Sequence, residues 1–517
     1  MSEMNCKRSQ QNSRHAQYLH TLYCPEQPFH SFYNVFYRHI ILCVHILMEP
    51  PFTIEFTGGD PTFTKEIWIV RGSPSNLILG EGWTTIARMA LANAPSLKQV
   101  TIPASVTRIG FGAFYKSEGL EEVTFAPGSG LTIIEANAFM GTSSLKQFDV
   151  PASVTRIDAD AFNGATSLTQ VTFAPECRLG RISDGTFQGA MALQTINLPP
   201  SVTVIGQGAF SGAVALQSIY IPDSVISIGS DAFRAATGLV KVEFDPNSKL
   251  AGIGPSAFSG ATSLREIHIP ASVSSIGQYA FSVASSLTNV TFEPDSTLYM
   301  IGASAFQQTA LQTITIPASV EKMGWHVFNG AKRLTNVTFE KGSHLKSIEY
   351  ATFTEATALR TIEIPPSVTT IGPRAFSNAT NLERVTFLPG SNISLIGESA
   401  FADTNLKLVV MGEPALKKLN TTAVPKLSFG DGNTFYGANN VSITSRAGQA
   451  YSFLNVAKQR GVPLDAARLS AAFLTGQTPK ARPNGGRKRA TRKGGRKAAV
   501  SKKRTSRRRK TSRRKAR

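Results

Sequence analysis

The chain is poor in the residues that hold small secreted domains or zinc modules together: its 517 residues include four cysteines, Cys6, Cys24, Cys43 and Cys177, with no paired CxxC spacing. That excludes a disulfide framework and a closed structural zinc site. Long apolar runs are also missing. The longest near the start, Ile40 to Met48, carries His45 and is about half the length a membrane-crossing helix needs. Its long polar upstream flank, with no small-residue cleavage site after it, argues against a signal peptide. There is no GxxxxGK[ST] phosphate loop, no HExxH, no nucleophile elbow and no dinucleotide fingerprint between a strand and a helix. The expectation is a non-enzymatic protein with no cofactor, no metal and no small-molecule substrate.

Charge is scarce over most of the chain and one-sided at its end. Lys, Arg, Asp and Glu together make up 17% of the residues, yet the net charge is +20. From Lys480 to Arg517 there are 20 basic residues and no acid, so the rest balances at 54 − 20 = 34 basic against 34 acidic. With 42% hydrophobic residues, the balanced part can bury a core. The first 47 residues differ in character from the remainder of the chain: they hold five of the eight histidines and three of the four cysteines. They read as a disordered leader or as an over-extended gene model whose start is Met48.

A repeat fills the middle. Phenylalanine recurs at 114, 139, 162, 187, 210, 233, 258, 281, 306, 328, 353, 376 and 401, and a leucine opens each segment from Leu97 to Leu406, giving fourteen units. Seven units of one type are 23 residues long, as in LKQVTIPASVTRIGFGAF, and a second type of 24 or 25 residues reads LTQVTFAPECRLGRISDGTF. The two alternate, except that the units at Leu193 and Leu216 are both short. L-x-x-V-x-I turns Leu97, Val100 and Ile102 inward and Thr101 outward, the alternation of a short strand. Pro103 ends that strand, Val106 and Ile109 form a second inward pair, and Gly110 is expected to free the backbone to turn. Ala113-Phe114 then falls on a short helical or irregular turn that buries one ring per coil. The expected fold is a repeat solenoid of about 14 coils rich in short parallel strands with short helical turns, on the order of 65 Å long at the usual strand spacing.

The pattern L-x-x-[VI]-x-I-P-x-S-V-x-x-I-G-x-x-A-F, over about 83 to 411, resembles the leucine-rich repeats of the BspA-like family, found in surface proteins of bacteria and some protist parasites. Members commonly carry a Cys three residues after the Phe. This chain mostly has Ala there, as at Ala165, Ala190, Ala213, Ala261, Ala331 and Ala379, which keeps a small buried residue and loses the thiol. The resemblance implies a leucine-rich repeat fold and, from the family's adhesins, binding to matrix proteins or cells.

The expected organisation is a leader (1–47), an N-terminal cap with a degenerate first repeat running from Trp83 to Leu91 (48–96), the leucine-rich repeats (97–406), a closing cap with helices over Gln449 to Arg460 and Asp465 to Leu474 (407–476), and a linker with a disordered Lys/Arg-rich tail (477–517). The outward strand position is threonine in seven of thirteen units, a residue suited to exposed strands. The departures cluster at Tyr220, Glu243 and His268 on consecutive coils, with Lys241 and Glu266 beside them. This mixed aromatic and charged patch is the candidate protein-binding surface. Trp325-His326 reads as a packing variation or an exposed anchor.

The tail holds the candidate polyanion contacts: Arg487, Lys488, Arg489, Arg492, Lys493, Arg496, Lys497, Lys502, Lys503, Arg504, Arg507, Arg508, Arg509, Lys510, Arg513, Arg514, Lys515 and Arg517. It has no aromatic residue for base stacking, so the expected partner is nucleic acid or another polyanion, bound without sequence specificity and with strong salt dependence. Arg487-Lys488-Arg489 and Lys502-Lys503-Arg504 also match a nuclear import address. The leading expectation is an intracellular scaffold that recognises a protein through the solenoid and a polyanion through the tail. The alternative is a cell-surface or virion adhesin whose tail is a packaging or anchoring element.

Overall fold

The computed structural model describes residues 61–64 and 75–412, together with the backbone of strands at 52–54, 428–429, 442–445 and 450–451. Each coil contributes two strands to two parallel ladders. The first ladder contains the L-x-x-V-x-I strands, from Asn76–Leu79 through Gln99–Ile102 and Glu122–Phe125 to Leu408–Met411, usually four residues long. The second contains two-residue strands such as Thr85–Ile86, Arg108–Ile109 and Ile133–Ile134. Fifteen strands of the first kind lie between Asn76 and Met411, which makes a parallel β-solenoid about 70 Å long. The strand at Asn76–Leu79 pairs with Gln99–Ile102, and Leu91 is buried one coil ahead of Phe114.

The core follows the inward pattern. Leu97, Val100, Ile102, Val106, Ile109, Ala113 and Phe114 are all buried, and the same positions are buried coil after coil. Each fully buried phenylalanine contributes roughly 1.5–3 kcal/mol. The thirteen rings from Phe114 to Phe401 stack face to face, with centroids 4.8 to 5.7 Å apart and planes within 17°. The alanines in the place of the family's cysteine, Ala165 and Ala190 among them, are buried in the same core.

The expected helical turns are absent; no described residue is helical. The segment around each phenylalanine is instead a third point of contact between coils. The N–H groups of Gly112, Phe114 and Lys116 donate to Ala136, Ala138 and Met140 of the next coil at 3.0, 2.7 and 2.7 Å. The N–H groups between them, on Ala113, Tyr115 and Ser117, donate three residues back at 3.1, 2.9 and 3.0 Å. A helix needs every N–H within its own axis, and here every other one is used between coils. The alternation requires a left-handed residue two before and two after the ring, and every coil from Leu91 to Phe401 has both, Gly112 and Lys116 being one such pair.

The reading of Gly110 is corrected as well. It does not have a left-handed φ; a Cβ there would lie 2.8 Å from the Ile86 carbonyl oxygen. Close approach of neighbouring backbones is the reason for this glycine, and Gly206, Gly229, Gly254, Gly277, Gly302 and Gly324 meet the same crowding in six successive coils.

The two unit types pair unequally. From a short coil to the following long one, strand register is complete, as in Gln99↔Glu122 through Ile102↔Phe125 and Thr313↔Asn336 through Ile316↔Phe339. From long to short it shrinks to two residues at Gln170 and Val171 and to one at Asn289. It is absent between Lys241–Phe244 and Glu266–Ile269. The long strands end in phenylalanines, Phe125, Phe173, Phe244, Phe292 and Phe339, that are only partly buried. Short coils end in a smaller buried aliphatic residue such as Ile102 or Ile269, so the splayed junctions after these long coils coincide with added bulk; the junction between the two consecutive short coils, Thr195–Ile196 and Ser218–Ile221, is unpaired as well.

At the C-terminal end, Ala450–Tyr451 is a strand antiparallel to Ser442–Ser445, not the start of a helix: its backbone pairs with the neighbouring strand and so cannot close helical bonds. The rest of the expected helices at 449–460 and 465–474, the leader and the tail lie outside the described residues.

Two substitutions in one coil should act in opposite directions. Gly277→Ala places a Cβ 2.4 Å from the Pro255 backbone nitrogen and should destabilise the array by about 1–3 kcal/mol. Val283, exposed, holds a φ of 61°, which a β-branched residue tolerates poorly, so Val283→Gly should stabilise by about 1 kcal/mol. Denaturant melts of the two variants check both signs.

Candidate functional site

The outward residues of the first ladder form an exposed strip along the solenoid. Thr101 Oγ1 and Thr124 Oγ1 bond laterally at 3.0 Å, and Thr172 donates to the Asp149 carboxylate. Ion pairs continue the strip: Glu121 lies between Lys98 and Lys146 at 3.4 and 2.6 Å, and Lys407 meets Glu383 at 2.8 Å. The Lys146 and Lys98 ammonium groups hold the Glu121 carboxyl below the usual range, and Lys407 does the same for Glu383.

Tyr220, Lys241, Glu243, Glu266 and His268 all occupy exposed strand positions. Tyr220 stands in register with Glu243, but its hydroxyl donates to Asp245 Oδ2 at 2.6 Å. Lys241 pairs with Glu243 along its own strand. Glu266 and His268 belong to the next ladder segment, across the unpaired junction, and the His268 imidazole bonds to Thr291. No side-chain hydrogen bond or ion pair among the described residues joins the two halves of the patch.

Sequence reasoning missed Asp245. It lies in the loop after the strand, two residues beyond the outward position, so the period-two pattern gave no signal for it. The Asp245 carboxylate pushes the Tyr220 phenol above its usual range, and the phenol in turn, with the Asn247 N–H, lowers Asp245. Tyr220, 44% exposed, is thereby tied to the loop that follows the next strand. Lys249 reaches Asp223 at 3.0 Å on the same rim.

Trp325 is 54% exposed, so its indole lies at the surface and is not packed into the core. His326 takes the left-handed position beside it, and its ring meets Tyr350 edge-on at 5.1 Å. Burial lowers its pKa. Cys177 is buried, with its thiol directed at the Val154 carbonyl and its pKa raised by desolvation, the opposite of a reactive thiolate. His268 sits four coils further along, about 19 Å at the strand spacing, too far for a dyad. No metal-binding group of three His, Cys, Asp or Glu residues occurs among the described residues, and no helix there is long and apolar enough to cross a membrane.

These observations define a repeat protein that offers a long β-surface. The profile of the BspA type leucine rich repeat region matches residues 84–215, 203–332 and 299–425, and the chain belongs to that family. Among solved structures, it is similar to a leucine-rich repeat protein from Bacteroides ovatus (25% identity, 58% of this chain and 87% of that one, TM-score 0.39). It is also similar to a leucine rich cell surface protein from Faecalibacterium prausnitzii (24%, 69% and 89%, TM-score 0.35) and to the pneumococcal vaccine antigen PcpA (19%, 76% and 86%, TM-score 0.36). No curated protein matches the chain.

The Tyr220–Asp245 bond has a titration signature. Its share in holding the loop is present above the ordinary Asp range and lost as pH falls through the lowered Asp245 value. At the alkaline end, Asp245→Asn should let Tyr220 ionise at lower pH than in the unaltered protein. Phenolate absorbance, referenced to Tyr220→Phe, reads the shift; an unchanged curve would show that the bond does not form in solution.

Proposed function

We propose that the chain is a non-enzymatic recognition scaffold that docks a protein partner on the exposed first ladder at Tyr220, Lys241, Glu243, Glu266 and His268. The basic segment 477–517 then holds nucleic acid or another polyanion without sequence specificity. The observation that carries the solenoid half is the placement of an exposed, hydrogen-bonded tyrosine and four charged or polar side chains on three successive coils of a strip otherwise dominated by threonine. Exposed tyrosine is a frequent anchor in protein interfaces. The density of 20 cations in 38 residues carries the tail half. Residues 487–517 supply a charge field suited to phosphate, and their lack of aromatics leaves electrostatics as the binding mode.

The second reading, a surface or virion adhesin whose tail packages or anchors it, draws on the surface proteins the family contains. Localisation separates the two readings: nuclear accumulation that is lost when 477–517 is deleted supports the intracellular scaffold, and an exported form supports the adhesin.

The binding test pairs the full chain with a variant lacking 477–517. Nucleic-acid affinity of the full chain should fall about 10³ to 10⁵ fold between 50 and 200 mM salt if roughly 6 to 10 phosphates are neutralised, and should vanish without the tail. A shallow salt slope refutes the phosphate-contact model. Protein partners captured by both forms after nuclease treatment should be lost from Tyr220→Ala/Lys241→Ala. Capture that survives both substitutions places recognition elsewhere.

A further inference from the structure

The chain writes the same four residues, Pro-Ala-Ser-Val, after the first-ladder strand in four coils: 103–106, 151–154, 270–273 and 317–320. The turn closes with the valine N–H donating to the proline carbonyl at 3.1 to 3.3 Å, which leaves the alanine N–H without a backbone acceptor. In three of the four coils a glutamate from a neighbouring coil takes it. The Ala104 and Ser105 N–H groups donate to the two carboxylate oxygens of Glu81 at 3.1 and 3.2 Å, Ala271 to Glu293 at 3.1 Å and Ala318 to Glu340 at 2.9 Å.

The fourth turn has no such partner. Glu293 and Glu340 each follow the terminal phenylalanine of the next long coil, and the residue there beside Ala152 is Ala174, after Phe173. On the other side, the place that Glu81 holds in the coil before Ala104 is taken by Pro127 in the coil before Ala152. Ala152 is exposed where Ala104, Ala271 and Ala318 are half-buried, and its N–H makes no hydrogen bond among the described residues.

The remaining short coils offer no equivalent. Two have Pro200 and Pro366 in place of the alanine, and a proline has no N–H. The third has Asp223, which brings its own carboxylate and pairs with Lys249.

The unfilled position lies in a groove of about 720 Å³ whose lining includes Phe125 and Phe173, the terminal phenylalanines of the flanking long coils, and Pro151. Two carboxylates also line it. Glu122 accepts from Gln99 Nε2 at 3.0 Å, and Asp149 accepts from Thr172, so each is already hydrogen-bonded along the strand strip.

We propose that this groove binds an acidic segment of a partner protein: an Asp or Glu side-chain carboxylate accepts from the Ala152 N–H, and the apolar side chains beside it lie against Phe125 and Phe173. The chain itself identifies the chemistry, since in each of the other three copies of this turn a glutamate carboxylate fills the same place. A bond from N–H to an ionised acceptor is stronger than a neutral one. The groove lies three to five coils from the patch at Tyr220 to His268, so the two sites are lost independently.

The test uses the full chain and a capped, dye-labelled peptide, Gly-Leu-Glu-Leu-Gly, read by fluorescence anisotropy at high salt, with the Gln counterpart as control. The Glu peptide should bind about tenfold or more tighter than the Gln peptide. Ala174→Glu, which supplies the carboxylate that Glu293 and Glu340 supply elsewhere, should weaken binding by a similar factor while leaving the melting temperature at or above its starting value. Glu293→Ala should raise the stoichiometry from one to two. Equal binding of the Glu and Gln peptides overturns the proposal. So does binding that survives Ala174→Glu, which would place the peptide on the basic tail, and so does no binding up to about 1 mM.

Discussion

The fold depends on a fixed close spacing between coils, and the phenylalanine column is its most direct expression. Rings that stack 4.8 to 5.7 Å apart in nearly parallel planes leave room for strand-like hydrogen bonding on all sides of a coil and for little else. Three sets of bonds hold that distance: the two ladders and the alternating N–H groups beside each ring. A single coil has none of them. Stability therefore comes from nearest-neighbour contacts, as in other solenoids, and a fault in one coil is felt mainly by the two beside it.

The same spacing decides where glycine is required. At Gly277 the chain needs the absence of a Cβ because the Pro255 nitrogen lies where one would go; at Gly112 and Gly141 it needs a left-handed backbone. These are different constraints met by one residue type. Lys116, Tyr279, Val283 and Arg374 meet the second without glycine, at a conformational cost that the intercoil bonds offset. Sequence inspection sees a glycine in either place and cannot tell the two apart.

The solenoid, its two unit types, its inward residues and its ring column were legible from periodicity, because burial repeats with the chain. The turns around the rings were not. Ala-Phe flanked by small polar residues suits a short helical turn on local grounds, and only the neighbouring coil, which accepts every other N–H, overrides it. The pairing of short with long coils was half legible: the alternation in length is plain, but the loosened ladder after five of the six long coils goes with Phe125, Phe173, Phe244, Phe292 and Phe339 staying partly exposed, whereas Phe387 is buried and its strand pairs over three residues. At the candidate site, the exposed positions of Tyr220 through His268 followed from alternation. The tyrosine's true partner, Asp245, did not, since it belongs to a loop.

In an array this regular, what distinguishes one stretch of surface from another is departure from the repeat. Thirteen outward positions dominated by threonine make a surface on which Tyr220 and its carboxylate partner stand out. Exposed Trp325 marks a second departure on the turn beside the ring column. The turn at Ala152 is a departure of another kind, since its own four residues are unchanged and the carboxylate that neighbours supply elsewhere is missing. Changes at such positions cost the core nothing, because the residues that stack and pair are untouched. A solenoid can therefore vary its surface coil by coil while the buried repeat stays constant, and in this chain the variation falls on the strip, the turns and the grooves beside short coils.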